Sequence, residues 1–284
     1  MSKFGIVMEG GASRTIFSCG VTDALLEADI MPDYFIGVSA GIAFGVSYLS
    51  KQKGRNWEMT EKYMADKRYM GLSHLRKTKN FYNVPFVFSE IPNELIPFDY
   101  EALRNFPGEA EVVVTNVKTG EAEYMELERK DQEFKQLLAS CALPVLFQPV
   151  KIGKNYYLDG GIADSIPIER ALEKGCDKVL VILTRQRDYV KKTEKGKYFS
   201  NFVYQKCKNL CDAMDSRPER YNACKKRLEE LEEEGKVFLI APEDTLGISR
   251  TEKDPKVLRP LYDQGYEMMQ EKMDELRAFI QSDS

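Results

Sequence analysis

The sequence holds a single histidine, His74, among 284 residues. One imidazole cannot build a His-rich metal site, and a Ser-His-Asp triad would have to use this residue. Cysteine is scarce as well. The six present (Cys19, Cys141, Cys176, Cys207, Cys211 and Cys224) are too few to staple a chain of this length, so reduced, part-buried thiols of a cytoplasmic protein are expected. Cys207 and Cys211 are four apart with no second ligand pair, which argues against zinc. No run of about 18 apolar residues occurs, so no segment is expected to span a membrane. Residues 1–3 lead straight into the strand-like Phe4–Met8 without a signal-type apolar region. A charge excess of one sign is missing too. The 41 Lys+Arg nearly balance 45 Asp+Glu, for a formal charge of -4, which speaks against a dedicated nucleic-acid binder.

What is present suits a globular chain with a sizeable core: 43% of residues are hydrophobic and 30% are charged. Strand-like runs are expected at Phe4–Met8, Tyr34–Val38, 111–117, 178–183 and 236–241. Helical spacing appears at 16–28, and 42–49 is apolar all round, as in a buried helix. Lys118-Thr119-Gly120 and Gly153-Lys154-Asn155 read as hairpin turns. Further helices are expected at 131–141, stopping before Pro144, and at 167–174, ending at Gly175. Ser216-Arg217-Pro218-Glu219 reads as a capping box that opens a helix carrying Tyr221, Cys224, Leu228 and Leu231, closed by Gly235. A last amphipathic helix is expected from Val257 to Ile280. Alternating strands and helices predict an α/β layered fold with a largely parallel sheet, its hairpins at the edge. One domain over 1–284 is the preferred division: a core at 4–183 plus a strand at 236–242, an aromatic-rich insertion at 51–110, and a helical C-terminal part at 186–284.

Gly37-Val38-Ser39-Ala40-Gly41 matches G-x-S-x-G between a strand and a helix. A sharp turn of that kind exposes a nucleophile, and only small neighbours such as Gly37 and Gly41 fit around it. The other reading is an ordinary serine in a glycine-lined turn. Gly10-Gly11-Ala12-Ser13-Arg14 also joins a strand to a helix. Successive small residues let backbone N–H groups of Gly10, Gly11 and Ala12 face one anion, with Arg14 supporting the loop or the anion. A nucleotide site is disfavoured, since neither G-x-G-x-x-G nor a Walker lysine is present.

A serine needs a base. His74 follows Ser39 by only 35 residues, in a polar stretch that reads as surface loop, and no later histidine exists. The base is therefore expected to be a carboxylate or a lysine. Asp159, before Gly160 and Gly161, is the best candidate, although Asp-Gly is also a common turn. Asp164 is a rival that reads more naturally as a helix cap.

These elements, in this order, resemble the patatin-like phospholipase family in its bacterial branch. The loop Glu9 to Arg14, the elbow Gly37 to Gly41 and the block Asp159 to Gly161 carry the likeness. So does Ala139-Ser140-Cys141-Ala142-Leu143-Pro144, followed by Phe147 and Pro149. The resemblance implies a patatin-like three-layer α/β fold, a Ser39–Asp159 dyad without histidine, and an oxyanion loop at Gly10 to Ala12. It also implies no metal or organic cofactor, and a phospholipid or other lipid ester as substrate. The family loop commonly reads G-G-G-x-R-G; here Ala12 stands for the third glycine and Thr15 for the last. A non-catalytic regulatory or binding protein, and an esterase on small soluble esters, are the alternatives.

Two composition features bear on lipid. Residues 57–106 hold 10 of the 31 aromatics, as expected of an irregular pocket-lining segment or a satellite core. Residues 185–227 carry 13 Lys+Arg against 5 Asp+Glu, which could favour peripheral contact with an anionic membrane.

Overall fold

Five consecutive buried residues, Phe4–Met8, form strand β1, and the period of two sends its side chains to two different cores. Ile6 and Met8 join one cluster with Phe17, Ile42 and Leu258, while Val7 joins another with Ile168, Tyr221 and Leu228. A strand buried on both faces must be covered on both, and that makes three layers. The computed structural model describes residues 2–193 and 197–282.

The sheet continues through β2 (Tyr34–Val38), β3 (Glu109–Asn116), β4 (Ala122–Glu126), β5 (Val150–Ile152), β6 (Asn155–Asp159), β7 (Lys178–Ile182) and β8 (Val237–Ile240). Its order is β5-β6-β3-β2-β1-β7-β8, with β4 also paired to β3. Strands β3, β2, β1, β7 and β8 are mutually parallel, and the two expected hairpins supply the antiparallel side. The register sets Val38 opposite Val113, and Val114 opposite Asp159.

Helices α1 (Ile16–Glu27) and α2 (Ala40–Leu49) cover one face with α7 (Pro255–Glu271), while α4 (Ile168–Glu173) and α6 (Lys208–Glu233) cover the other. Helices α1 and α7 approach so closely that a Cβ on Gly20 would sit 2.1 Å from Tyr262 O, and one on Gly265 2.1 Å from Phe17 O.

Several sequence expectations are corrected. The helix expected at 131–141 is only α3 (Lys135–Ser140). The Asp131 carboxylate accepts the N–H groups of Glu133 (2.8 Å) and Lys135 (2.7 Å), and Phe134 adopts φ 50°, so the preceding residues turn instead. Ser216 to Glu219 is no capping box, because α6 runs through it with Pro218 inside. The Ser216 hydroxyl instead donates back to Asp212 O at 2.7 Å. The helix from Val257 onward is two helices: Lys272 (φ -94°, ψ 9°) separates α7 from α8 (Met273–Gln281). The insertion is only partly irregular. It contains the short helix Leu72–Thr78 and a wide-turned helix, Phe86–Leu95, with Pro92 inside. Among the described residues no helix is long and apolar enough to cross a membrane, and all six cysteines are free.

Candidate active site

Loops leaving the carboxyl ends of β1, β2 and β7 meet at one end of the sheet. The chain passes from β1 to β2 on one side and returns to β7 on the other, so this is a crevice where strand order reverses. Ser39 follows β2 and caps the start of α2 with φ 54° and ψ -129°. For a residue with a side chain this conformation is strained and persists only where the surroundings impose it. Its neighbours explain the glycines. A Cβ on Gly41 would meet Met8 O at 2.4 Å, one on Gly37 would meet Ile42 N at 2.7 Å, and one on Gly10 would meet Ser39 Cβ at 2.7 Å.

The Ser39 hydroxyl donates to Asp159 Oδ2 at 2.6 Å. The register brings them together across β3. Asp159 is 2% exposed. Its Oδ1 accepts Gly161 N–H at 2.8 Å, its N–H donates to Ala142 O at 2.9 Å, and its carbonyl accepts the Thr115 hydroxyl at 2.8 Å. Burial raises its pKa above the usual 3.8; the Ser39 hydroxyl, Arg217 and Gly161 N–H oppose that rise.

Ala12 begins a short 3-10 turn, Ala12–Thr15, with φ 49°. The strain therefore falls on the residue that stands where the family loop has glycine. Among the described residues the N–H groups of Gly10, Gly11 and Ala12 have no acceptor. Arg14 is buried behind the loop, with its pKa pushed down to about 10 by burial and then by Arg185 and Arg250.

Two cavities meet at Ser39 and Ala12. One, of about 230 Å³, is lined mostly by apolar groups, among them Ala43, Phe44, Phe88, Ile91, Phe98 and Phe147. It exceeds the ~150 Å³ apolar void that can hold a benzene ring. Phe88, Ile91 and Phe98 also belong to the main core, so the aromatic insertion is both pocket wall and packed core. The other cavity is polar and contains Glu9, Gly11, Asp159, Arg185, Arg217 and Arg250 among its walls.

His74 lines neither cavity; it is half-buried on Leu72–Thr78, with Nε2 3.1 Å from Lys67 O. Asp164 does not cap α4, since Pro167 holds that position. Its carboxylate accepts Ile166 N–H and the Tyr124 hydroxyl, the latter at 2.9 Å. Ser140 was legible only as part of a family-like block. It accepts Ser39 N–H at 2.8 Å and donates to Val113 O at 2.7 Å. Arg185 and Arg217 were visible only as members of the cation-rich stretch 185–227, and Arg250 carried no sequence signal. Among the described residues no group of three or more His, Cys, Asp or Glu is placed to hold a metal ion.

The patatin-like phospholipase family profile matches residues 6–172, a stretch that includes Ser39, Asp159 and the glycine-rich loop. The chain belongs to the patatin-like phospholipase family. Residues 207–281, outside that patatin-like region, match a domain of unknown function, DUF6363. The uncharacterized protein YjjU of Escherichia coli (strain K12) is 25% identical over 64% of this chain and 52% of its own. Lysophospholipase NTE1 of Cryptococcus neoformans is 26% identical over 63% of this chain and 11% of its own. The match thus spans about half of one relative and a small part of the other. A probable lipid hydrolase, 463L, of Invertebrate iridescent virus 6 is 23% identical over 69% of this chain and 75% of its own. The crystal structure of VipD from Legionella pneumophila aligns with a TM-score of 0.47 at 16% identity, over 97% of this chain and 67% of that one.

Proposed function

We propose that this patatin-like protein is a serine lipid acyl hydrolase of the phospholipase A or lysophospholipase type, with Ser39 and Asp159 as its catalytic dyad. The reading rests on the 2.6 Å hydrogen bond between them, at the mouth of an apolar cavity. Asp159 takes the Ser39 proton as Oγ attacks the ester carbonyl carbon. The N–H groups of Gly10, Gly11 and Ala12 hold the oxyanion. Collapse of the tetrahedral species expels the alcohol, which receives the proton from Asp159, and leaves an acyl-serine. Water, deprotonated by Asp159, then releases the acid. The acyl chain occupies the apolar cavity.

A fluorophosphonate probe and a p-nitrophenyl ester test this. The wild type labels and turns over. Ser39→Ala does neither, and Asp159→Asn loses about 10³-fold or more in turnover. A wild-type protein that fails to label would favour the non-catalytic regulatory alternative; absence of activation by micelles would favour an esterase on soluble substrates.

The protein is further proposed to work in the cytoplasm, at the surface of anionic membranes. Helix α5 (Lys197–Val203) exposes Tyr198, Phe199, Phe202 and Val203 within the cation-rich stretch 185–227. Exposed aromatics beside cations suit a headgroup interface. Residues 194–196 of that stretch lie outside the described residues. Flotation with phosphatidylserine vesicles but not with phosphatidylcholine vesicles is expected; equal flotation with both would refute charge-dependent docking.

A further inference from the structure

Two arginines line the apolar cavity. Arg250 stands at its junction with the polar cavity, whereas Arg55 belongs to the apolar one alone. Ser39, Ala40, Ala43, Phe44 and Val46 also line it, so the cavity runs along one face of α2, away from the nucleophile. Arg55 opens the short helix Arg55–Met59, and its Nη1 donates to Ser47 Oγ at 3.3 Å. Ser47 lies about two turns along α2 from Ser39, a distance of about 12 Å at 1.5 Å per residue.

The guanidinium is held in place but not neutralised. Besides Ser47, its Nη2 donates to Ile96 O at 2.9 Å, and its Cζ lies 5.1 Å from the centre of the Phe98 ring. All three partners are uncharged. Nε is buried without an acceptor, and among the described residues no carboxylate bonds to Arg55. Glu58 acts on it only at longer range and is itself bonded to Lys62 at 2.6 Å. Burial pushes the Arg55 pKa down to about 10, so the group stays charged at neutral pH. A cation set among Phe44, Met59 and Phe98 without a counter-ion is costly, and a bound anion would offset that cost. Its planar fork of N–H donors matches a carboxylate. One cavity thus has a nucleophile at its mouth and an anion receptor about two helical turns further in.

We infer that Arg55 receives a carboxylate at the far end of the acyl chain, so that the preferred substrate is an ester of an ω-carboxyacyl group. The inference rests on the hydrolase reading above. An extended chain with C–C bonds of about 1.5 Å advances about 1.3 Å per carbon, so roughly eight carbons bridge Ser39 and Arg55. Hydrolysis adds one water to the ester and gives the alcohol and a dicarboxylic acid.

Mono-p-nitrophenyl suberate and p-nitrophenyl octanoate differ only at the chain end, carboxylate against methyl. The ratio of their kcat/KM values is measured on the full chain. Wild type is expected to favour the suberate ester. The ratio should fall about tenfold or more in folded Arg55→Gln and Arg55→Met, with part of it recovered in Arg55→Lys. A wild-type preference for the octanoate ester overturns the inference. So does a ratio that both Arg55→Gln and Arg55→Met leave unchanged, because a mere brace between α2 and Ile96 would lower both rates together. Calorimetry on Ser39→Ala separates binding from chemistry. Monomethyl suberate should bind, about tenfold more weakly once Arg55→Gln is added; no binding overturns the carboxylate site. Octanoate binding through Arg55 while monomethyl suberate does not bind would make this a site for a free fatty acid and overturn the substrate assignment. If wild type cleaves neither p-nitrophenyl ester while monomethyl suberate still binds through Arg55, the hydrolase reading fails and the carboxylate site stands.

Discussion

The hydroxyl of Ser140 accepts the backbone N–H of Ser39 at 2.8 Å and donates a hydrogen bond to Val113 O at 2.7 Å. It thereby ties the strained turn after β2 to the adjacent strand β3. Two residues on, Ala142 O accepts Asp159 N–H, so one short segment braces both partners of the proposed dyad.

Ser140→Ala removes that brace and leaves the Val113 carbonyl and the Ser39 N–H unpaired. Each buried unsatisfied group costs about 1–3 kcal/mol, so a lower Tm is expected. A positioning role also predicts a fall of about tenfold in kcat with little change in KM, whereas a purely structural role would lower the folded fraction and leave kcat per folded molecule intact. Steady-state kinetics alongside thermal denaturation separate the two.

The pH profile should reflect Asp159. Burial raises its pKa, and the ionised form is the base. Activity is therefore expected to fall as the pH drops through a value above the ordinary carboxylate 3.8, where Asp159 takes up a proton. His74→Ala should leave the profile unchanged, since His74 lines neither cavity. An inflection near the usual histidine range of ~6.5 that disappears in His74→Ala would refute a carboxylate base.

Ala12 at φ 49° should be improved by glycine. The left-handed conformation costs an L-residue about 1–2 kcal/mol, partly offset by the greater freedom of glycine in the unfolded chain. Ala12→Gly is expected to raise Tm by about 2 °C and to leave kcat equal or higher. A lower kcat would mean that the methyl group, at the junction of the two cavities, helps to seat the substrate.

Chain-length preference should respond to Ala43, which lines the apolar cavity on α2. Ala43→Phe fills part of about 230 Å³. The kcat/KM ratio of a dodecanoyl to a butyryl p-nitrophenyl ester should drop about tenfold or more. An unchanged ratio would place the acyl chain elsewhere.

Much of this was legible from residue order. Phe4–Met8, Tyr34–Val38 and both hairpins announced themselves because strand burial and turn chemistry are local properties. Pro218 misled because a helix start and a helix interior share the same local residues, and only the packing of Tyr221, Leu228 and Leu231 against the sheet carries α6 through it. Phe134 was missed for a related reason: the side chain of Asp131 captures N–H groups that a helix would otherwise use.

Residue order alone singles out the candidate chemistry. A lone His74 excluded the usual triad, small residues flanked Ser39, and Asp159 stood before two glycines; each is a matter of composition or short-range order. How these parts meet is a matter of long-range packing and strand register. Ser39 and Asp159 are 120 residues apart and converge because β3 registers one strand against the other. Arg185, Arg217 and Arg250 sit in separate segments with no shared motif, and they line one polar cavity because the chain after residue 172 folds back over the end of the sheet.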